Sequence, residues 1–270
     1  MKNKLLRGLV YLSALITFGS LFLVIGFILM KGLPHLSLEL FSPTYSSSNM
    51  SLLSSIVTTL VLVLGSLLLA IPIGVFAGFY LVEYANRGSK VVGFIRLAAD
   101  TLQGVPSIVF GLFGMLFFVI FCGFQYSLLS GILTSVLMVL PLIIRATEEG
   151  LLAVPDSVRQ ASFAVGAGKL RTIFRIVLPE AMPGILAGVL LAVGRIIGET
   201  AAFMYTLGTS TNMPTNLLDS GRSLALHMYV LSSEGLYLKE AYATGVILIV
   251  TVLVIQAISN QLSKKLTKGI

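Results

Sequence analysis

The run Gly194-Arg195-Ile196-Ile197-Gly198-Glu199-Thr200 puts a guanidinium and a carboxylate four residues apart at the end of a long apolar stretch. On a helix, positions i and i+4 share a face, so Arg195 and Glu199 are predicted to meet. An arginine at bilayer depth costs about 2.5–3.5 kcal/mol on insertion scales. Such a residue needs either a compensating partner or a task. A structural ion pair with Glu199 is one reading. The other is a pathway for an anion, because a guanidinium offers forked donors that match the paired oxygens of an oxyanion. Glu199 would then hold and aim Arg195 and, by repelling the solute, favour its release, with Thr200 next on the same route.

A second stretch suits recognition rather than catalysis. Arg159–Ile185 is the most polar long segment of an otherwise oily chain. Pro155-Asp156-Ser157 reads as a helix start, and Val158, Ala161 and Val165 follow at helical spacing. Gly166 and Gly168 are predicted to stop that helix. Leu170, Ile173, Phe174 and Val177 then define one apolar face of a second short helix, which Pro179 is expected to end, with Pro183 opening the next span. The exposed corner would consist of Ala161, Ser162, Ala164, Gly166 and Ala167, small residues that let another protein's backbone approach closely. A helix laid in a partner's groove is a known recognition mode. A basic loop held by anionic lipid is the alternative.

Other chemistries find little support. The single cysteine, Cys122, lies in an apolar run, and the two histidines are far apart, so neither a disulfide nor a metal cluster is expected. No G-x4-G-K-[ST] phosphate loop occurs. An intramembrane enzyme would need paired carboxylates, a Ser/His pair or a metal at depth, and the deep ionisable residues are Arg195 and Glu199 alone. No cofactor is expected.

The elements that must position these residues follow from composition. Of 270 residues, 56% are hydrophobic and 11% charged, with a mean hydropathy of +0.99; soluble domains carry about 25% charged residues. Charge-free runs cover Gly8–Met30, Leu40–Val82, Thr101–Ile144, Ala181–Gly194 and Ala241–Ser263. A spanning helix needs about 20 apolar residues, so an all-α integral membrane protein with six spans is predicted: Gly8–Met30, Ser54–Val82, Ser107–Cys122, Leu128–Ile144, Ala181–Thr200 and Ala243–Gln261. The first is too long for a signal peptide and is read as a retained helix. Gly74 and Gly78 form a small-xxx-small pair suited to close packing. Six spans place fourteen Lys and Arg on one side and Lys31, Arg222 and Lys239 on the other. That bias puts both termini in the cytoplasm, and the net charge of +7 then reflects basic loops at a lipid bilayer rather than nucleic-acid binding. The loop from Ala201 to Tyr242 is expected to fold back as short helices.

Gln160-Ala161-Ser162, then Gly166, then Ile176-Val177-Leu178-Pro179 after nine residues, resembles the E-A-A-x3-G-x9-I-x-L-P motif of bacterial ABC importer permeases. Gln160 and Ser162 depart from it; Gly166, Ile176, Leu178 and Pro179 match in spacing. The resemblance implies a type I permease fold whose cytoplasmic coupling helix, with Gln160, Ala161, Ser162 and Gly166, docks on a separate ATPase. Arg195–Thr200 resembles the R-x-x-G-E-T signature of the phosphate-specific permeases. Gln103–Gly114 is similar to their G-[VI]-P-S-I-V-[FY]-G-L-F-G segment, although close packing alone would also explain its glycines. Gly198–Ala202 and Tyr205–Thr209 are more similar to the PstA type of subunit than to the PstC type. The implied partners are a second, PstC-like permease subunit, a PstB-like ATPase dimer and an extracytoplasmic phosphate-binding protein. Residues 51–262 would form the permease core, preceded by 1–50 and followed by a basic tail, 263–270. Another oxyanion, sulfate or molybdate, remains open on the same motifs.

Overall fold

A computed structural model describes residues 2–86, 88–235 and 237–268, with side chains described over 6–86, 88–235 and 237–261. Residues 269–270 of the predicted tail 263–270, and the positive side chains of Lys2, Lys4, Arg87, Lys264, Lys265 and Lys268, thus lie outside what is described. The described residues are helical, joined by turns, with no strand among them. The order is α1 (Lys2–Gly32), α2 (Leu53–Phe79), α3 (Lys90–Gly104), α4 (Ser107–Gly114), α5 (Leu128–Leu152), α6 (Asp156–Ala164), α7 (Lys169–Thr172), α8 (Leu178–Ile197), α9 (Ala201–Thr206), α10 (Leu224–Glu234) and α11 (Leu238–Lys268). Wide π turns extend α2 over Tyr80–Tyr84, extend α4 over Met115–Phe121 and join α7 to α8 over Ile173–Val177.

Five described helical stretches are long and apolar enough to cross a membrane, or six if α3 with α4 counts as one broken span. That pair is bent by 103° at Val105-Pro106, where proline's missing N–H and its restriction on the preceding residue interrupt the helix. The predicted third span, Ser107–Cys122, is therefore the outer limb of a broken element, and its other limb, α3, falls in what the sequence marked as a polar loop. The fifth predicted span, Ala181–Thr200, is also corrected. Helix runs continuously from Lys169 to Ile197, so Pro179 does not end the second hairpin helix and Pro183 opens nothing. Pro179 sits where the π turn Ile173–Val177 passes into α8, and the wider turn accommodates a residue that offers no N–H to the turn before it.

The core is built on α2, α5 and α8. Bilayer lipid is as apolar as leucine, so close approach of backbones rather than hydrophobicity holds these helices together. A Cβ on Gly74 would come 2.7 Å from Ile143, and one on Gly78 would come 2.7 Å from Thr147, so the predicted small pair on α2 packs against α5. On an adjacent strip of α5, Gly150 faces Gly184, and a Cβ on Gly188 would overlap that of Ala146. Polar side chains inside the bundle turn back on their own helices, as Thr134 does to the Ser130 carbonyl (2.7 Å) and Thr147 to the Ile143 carbonyl (2.8 Å). That satisfies groups that no water can reach. Helix α1 stands apart and touches chiefly α11, with Phe27 edge-on to Tyr242 at 5.8 Å and the rest of its surface open.

Helix α5 runs on past the predicted Ile144 to Leu152, carrying Arg145 and Glu148 with it. It does so because the charges are paired. Glu148, 1% exposed, takes Arg145 at 2.7 Å and Arg96 of α3 at 2.5 Å, while Arg145 also reaches Asp100 of α3 at 2.8 Å. This network pins the inner limb of the broken span to α5. The segment 207–224 is laid over α2 and tied to itself: Ser54 donates to the Asn212 carbonyl (2.7 Å), Thr59 accepts from the Leu224 N–H (2.9 Å), and within the segment Arg222 donates twice to the Thr209 carbonyl (3.1 and 2.8 Å).

Candidate functional site

The R-x-x-G-E-T run straddles a helix end. Helix α8 stops at Ile197, Gly198 closes its last turn, and Glu199 and Thr200 lie outside regular helix before α9 begins at Ala201. Glu199 therefore does not sit one helical turn above Arg195. Its carboxylate instead accepts the N–H groups of Thr200 (3.2 Å) and Ala202 (2.9 Å), satisfying backbone donors that open α9 and placing negative charge where the helix dipole favours it. The predicted i,i+4 ion pair is absent among the described residues, because the helix that would have set that spacing ends between the two.

Arg195 has no hydrogen bond or ion pair among the described residues. It is half-buried. Its depth follows from the antiparallel packing of α8 on α5. Gly188 lies against Ala146, and Leu207 lies against Gly131, so Arg195, about 10 Å beyond Gly188 along the axis, stands near the middle of α5. It borders a stripe of α8, Ala187, Leu191, Gly194 and Gly198, that is exposed among the described residues, with nothing near Gly194. The guanidinium is thus neither sealed in packing nor neutralised.

Thr200 turns elsewhere. It lines a cavity of about 460 Å3 with Gly198, Ala201, Met204, Tyr205 and Tyr229, between the α8–α9 junction and α10; Arg195 and Glu199 do not line it. Gln103–Gly114 meets the same junction: a Cβ on Gly111 would stand 2.7 Å from the Ala202 Cα, and one on Gly114 would strike Thr134 and Thr206. These two glycines pack, and in doing so they seat α4 directly against α9. The two segments that carry the closest sequence likeness are therefore neighbours in space.

At the other end of α8 is the helical hairpin. Helix α6 runs from Asp156, with Pro155 before it, to Ala164, and Gly166 turns the chain with φ +82°, a conformation open to glycine. Gln160, Ala161, Ala164 and Gly166 are exposed as predicted. Ser162 is not: 4% exposed, its hydroxyl lies 2.8 Å from that of Thr172 and ties α6 to α7. The second Ala of the motif is thus replaced by a residue that builds the hairpin from within. The predicted apolar face of α7 is split by the π turn, with Ile173 and Val177 buried and Leu170 and Phe174 exposed. Val165 (84% exposed) and Leu170 (62%) add an apolar rim to the small corner.

Two features of this end were missed in sequence. Arg159 was counted only as a loop charge, yet it is enclosed. Its Nε and Nη2 reach Glu83 Oε1 (3.1 and 2.9 Å), and its Nη groups also take the Val154 and Leu151 carbonyls (2.7 and 2.8 Å) and Asp156 (3.4 Å). Glu148 with Arg96 and Arg145 escaped notice because each residue is distant from its partners in sequence or was placed in a loop. The far side of the molecule holds a further missed residue. His227 in α10 is fully buried, with neither ring nitrogen hydrogen-bonded. Burial, helped by the nearby Arg222 charge, pushes its pKa down to about 3.

Residues 70–268 match the family model described as "binding-protein-dependent transport system inner membrane component". The chain is 32% identical, over 98% of its length and 97% of the relative's, to the probable ABC transporter permease protein YqgI of Bacillus subtilis. It is 34% identical, over 84% of its length and 80% of the relative's, to the phosphate transport system permease protein PstA of Haemophilus influenzae. In three dimensions it is similar to a chain of a bacterial ABC transporter that imports the acidic polysaccharide alginate, with a TM-score of 0.67 at 17% identity, covering 97% of this chain and 98% of that one.

Proposed function

The chain belongs to the binding-protein-dependent transport system inner membrane components, with the multi-pass helical fold of ABC importer permeases, and from that premise we propose that it is the membrane-spanning subunit, of the PstA type, of an ATP-driven importer of inorganic phosphate. It is a transport subunit and not an enzyme. The observation that carries the choice of solute is Arg195: a lone guanidinium at mid-depth, bordering an uncovered face of α8. Its forked donors fit two oxygens of a phosphate. The desolvated setting strengthens that contact, and the absence of a permanent counter-ion leaves the charge available.

In this reading Glu199 does not neutralise Arg195. It holds the α8–α9 corner and contributes a negative potential nearby that keeps the anion from settling. Thr200 offers a hydroxyl in the adjoining cavity. The open stripe Ala187, Leu191, Gly194 and Gly198 is where a second, PstC-like permease subunit closes the route, since one chain leaves Arg195 half-open. Gln160, Ala161 and Gly166 form the corner that docks on an ATPase dimer, Ser162 stiffens it, and an extracytoplasmic phosphate-binding protein delivers the solute to the opposite face. Both termini lie in the cytoplasm of a bacterium whose inner membrane holds the 51–262 core, with the N-terminal helix and the basic tail flanking it.

Uptake of labelled phosphate by the assembled transporter tests the solute. Phosphate should compete fully, and a hundredfold excess of sulfate or molybdate should leave uptake unchanged. Competition by sulfate equal to that by phosphate would move the assignment to another oxyanion.

A further inference from the structure

The hairpin is covalently continuous with α8, so α8 is the obvious carrier of any movement imposed on it from outside. The side chains indicate a second and firmer attachment. Glu83, whose side chain is 9% exposed, lies in the π turn Tyr80–Tyr84 that ends α2. One of its carboxylate oxygens receives two donors of the Arg159 guanidinium, at 3.1 and 2.9 Å. The backbone carbonyl of the same residue receives the Lys169 ammonium of α7, which also stands 4.4 Å over the ring of Tyr84. Beneath them Phe79, the last residue of α2, stacks on Phe174 at 6.3 Å and 26° between planes. Both limbs of the hairpin are thereby fastened to the C-terminal end of α2, across 76 residues of sequence for Arg159 and 86 for Lys169.

The joints lie on either side of this fastening. Single π turns are uncommon, less well bonded than α-helix and frequent at functional sites. Here one interrupts α2 just before it meets the hairpin, and the other, Ile173–Val177, separates the hairpin from α8. On the α8 side no charged contact crosses the π turn among the described residues. On the α2 side a part-buried, bifurcated, charge-assisted contact lands on Glu83 within the π turn itself, and such contacts are about twice as strong as neutral ones; the Phe79–Phe174 stack carries the fastening past that turn to α2 proper. A push on the hairpin therefore bends at Ile173–Val177 and is transmitted at Glu83. Beyond Glu83, Gly78 and Gly74 lock α2 onto Thr147 and Ile143 of α5, which carries the displacement into the core.

We propose that Glu83 is the positioning residue through which the hairpin drives α2, so that α2 and the hairpin move as one body while α8 flexes at its π turn. This rests on the reading of the hairpin as the ATPase-docking element; it does not depend on which solute is carried. Nothing in the E-A-A pattern marks Glu83, which lies in the loop-side end of another span.

The test uses the whole transporter with its ATPase in lipid vesicles. Glu83→Lys and Arg159→Glu are compared singly and together. Each single change should leave the ATPase copurifying while solute moved per ATP hydrolysed falls at least tenfold, and the exchanged pair should recover at least a third of the ratio. A single variant with the parental ratio, loss of the ATPase from the complex, or an exchanged pair no better than the singles would overturn the proposal. A second readout needs no solute. In a Cys122→Ala background, spin labels at Ala164 and Phe76 should keep their separation when ATP binds, while labels at Ala164 and Leu191 change theirs; Glu83→Lys should abolish that difference. A hairpin that stays fixed to Leu191 and moves against Phe76 would refute it. Failure of the parental complex to move phosphate, with the label distances behaving as stated, would sink the phosphate assignment and leave Glu83 in its role.

Discussion

The two ends of α8 hold their arginines in opposite ways. At the hairpin, Arg159 is saturated, with a carboxylate and two backbone carbonyls around it, and nearby Arg96 and Arg145 converge on the buried Glu148. At mid-depth, Arg195 has neither carboxylate nor carbonyl among the described residues, although it stands where an unpaired charge is far more expensive. A fully partnered guanidinium fastens elements to one another, and its worth is read as stability. An unpartnered one fastens nothing among the described residues, and it is on this difference that the proposed task of Arg195 rests.

Four experiments sharpen or break that contrast, in decreasing order of expected effect. Glu148→Gln removes the acid shared by two arginines; breaking a buried pair from one side costs about 3–5 kcal/mol, so thermal melting in detergent should fall steeply and α3 should detach from α5. A melting temperature like that of the parent would mean that the network is ornamental. Arg195→Gln should do the reverse. Uptake should drop by about 100-fold, as expected for loss of a charged hydrogen-bonding contact of roughly 3 kcal/mol, with melting unchanged or raised. Marked destabilisation with normal uptake would make Arg195 a structural residue after all. Gly111→Ala brings a methyl onto the Ala202 backbone and should cost about 1–3 kcal/mol as overpacking, disturbing the junction next to Arg195 without touching any charge. If uptake and stability both persist, α4 does not seat α9 closely.

The mildest effect concerns His227. It is neutral in the folded chain, with its pKa lowered from 6.5 to about 3, so the unfolded chain binds a proton that the folded one does not. Stability is therefore full above pH 6.5 and falls as acid is added through the window from 6.5 to about 3. Between pH 7 and pH 5.5 the loss should be about 1 kcal/mol. His227→Leu should flatten the dependence of melting temperature on pH; an unchanged slope would show that other groups set it.

The helical class, most of the apolar spans and the exposure of Gln160, Ala161, Ala164 and Gly166 at the hairpin corner were legible because each is a local property. Runs without charge, a 3.6-residue period and an isolated arginine in oil are visible in one dimension. The errors were of one kind. Arg195 and Glu199 were paired on the assumption that helix continues through Gly198, and Pro179 was read as a terminator, whereas α8 ends at Ile197 just before the α9 that Gly111 and Gly114 of α4 pack against, and helix runs on past Pro179 beside the Phe79–Phe174 stack. Ser162 was placed outside because small polar residues suit an exposed corner, but Thr172 draws it in.

The sequence by itself determined that this chain is a helical membrane protein with several long apolar segments, since the transfer cost of each side chain is fixed by its own chemistry. Only the tertiary structure decided which charges find partners. Glu83 with Arg159, Glu148 with Arg96, and Glu199 with the α9 backbone rather than with Arg195 are matters of distance between groups far apart or differently turned along the chain, and electrostatic pairing depends on separation in space, which no spacing along the sequence fixes once a helix breaks.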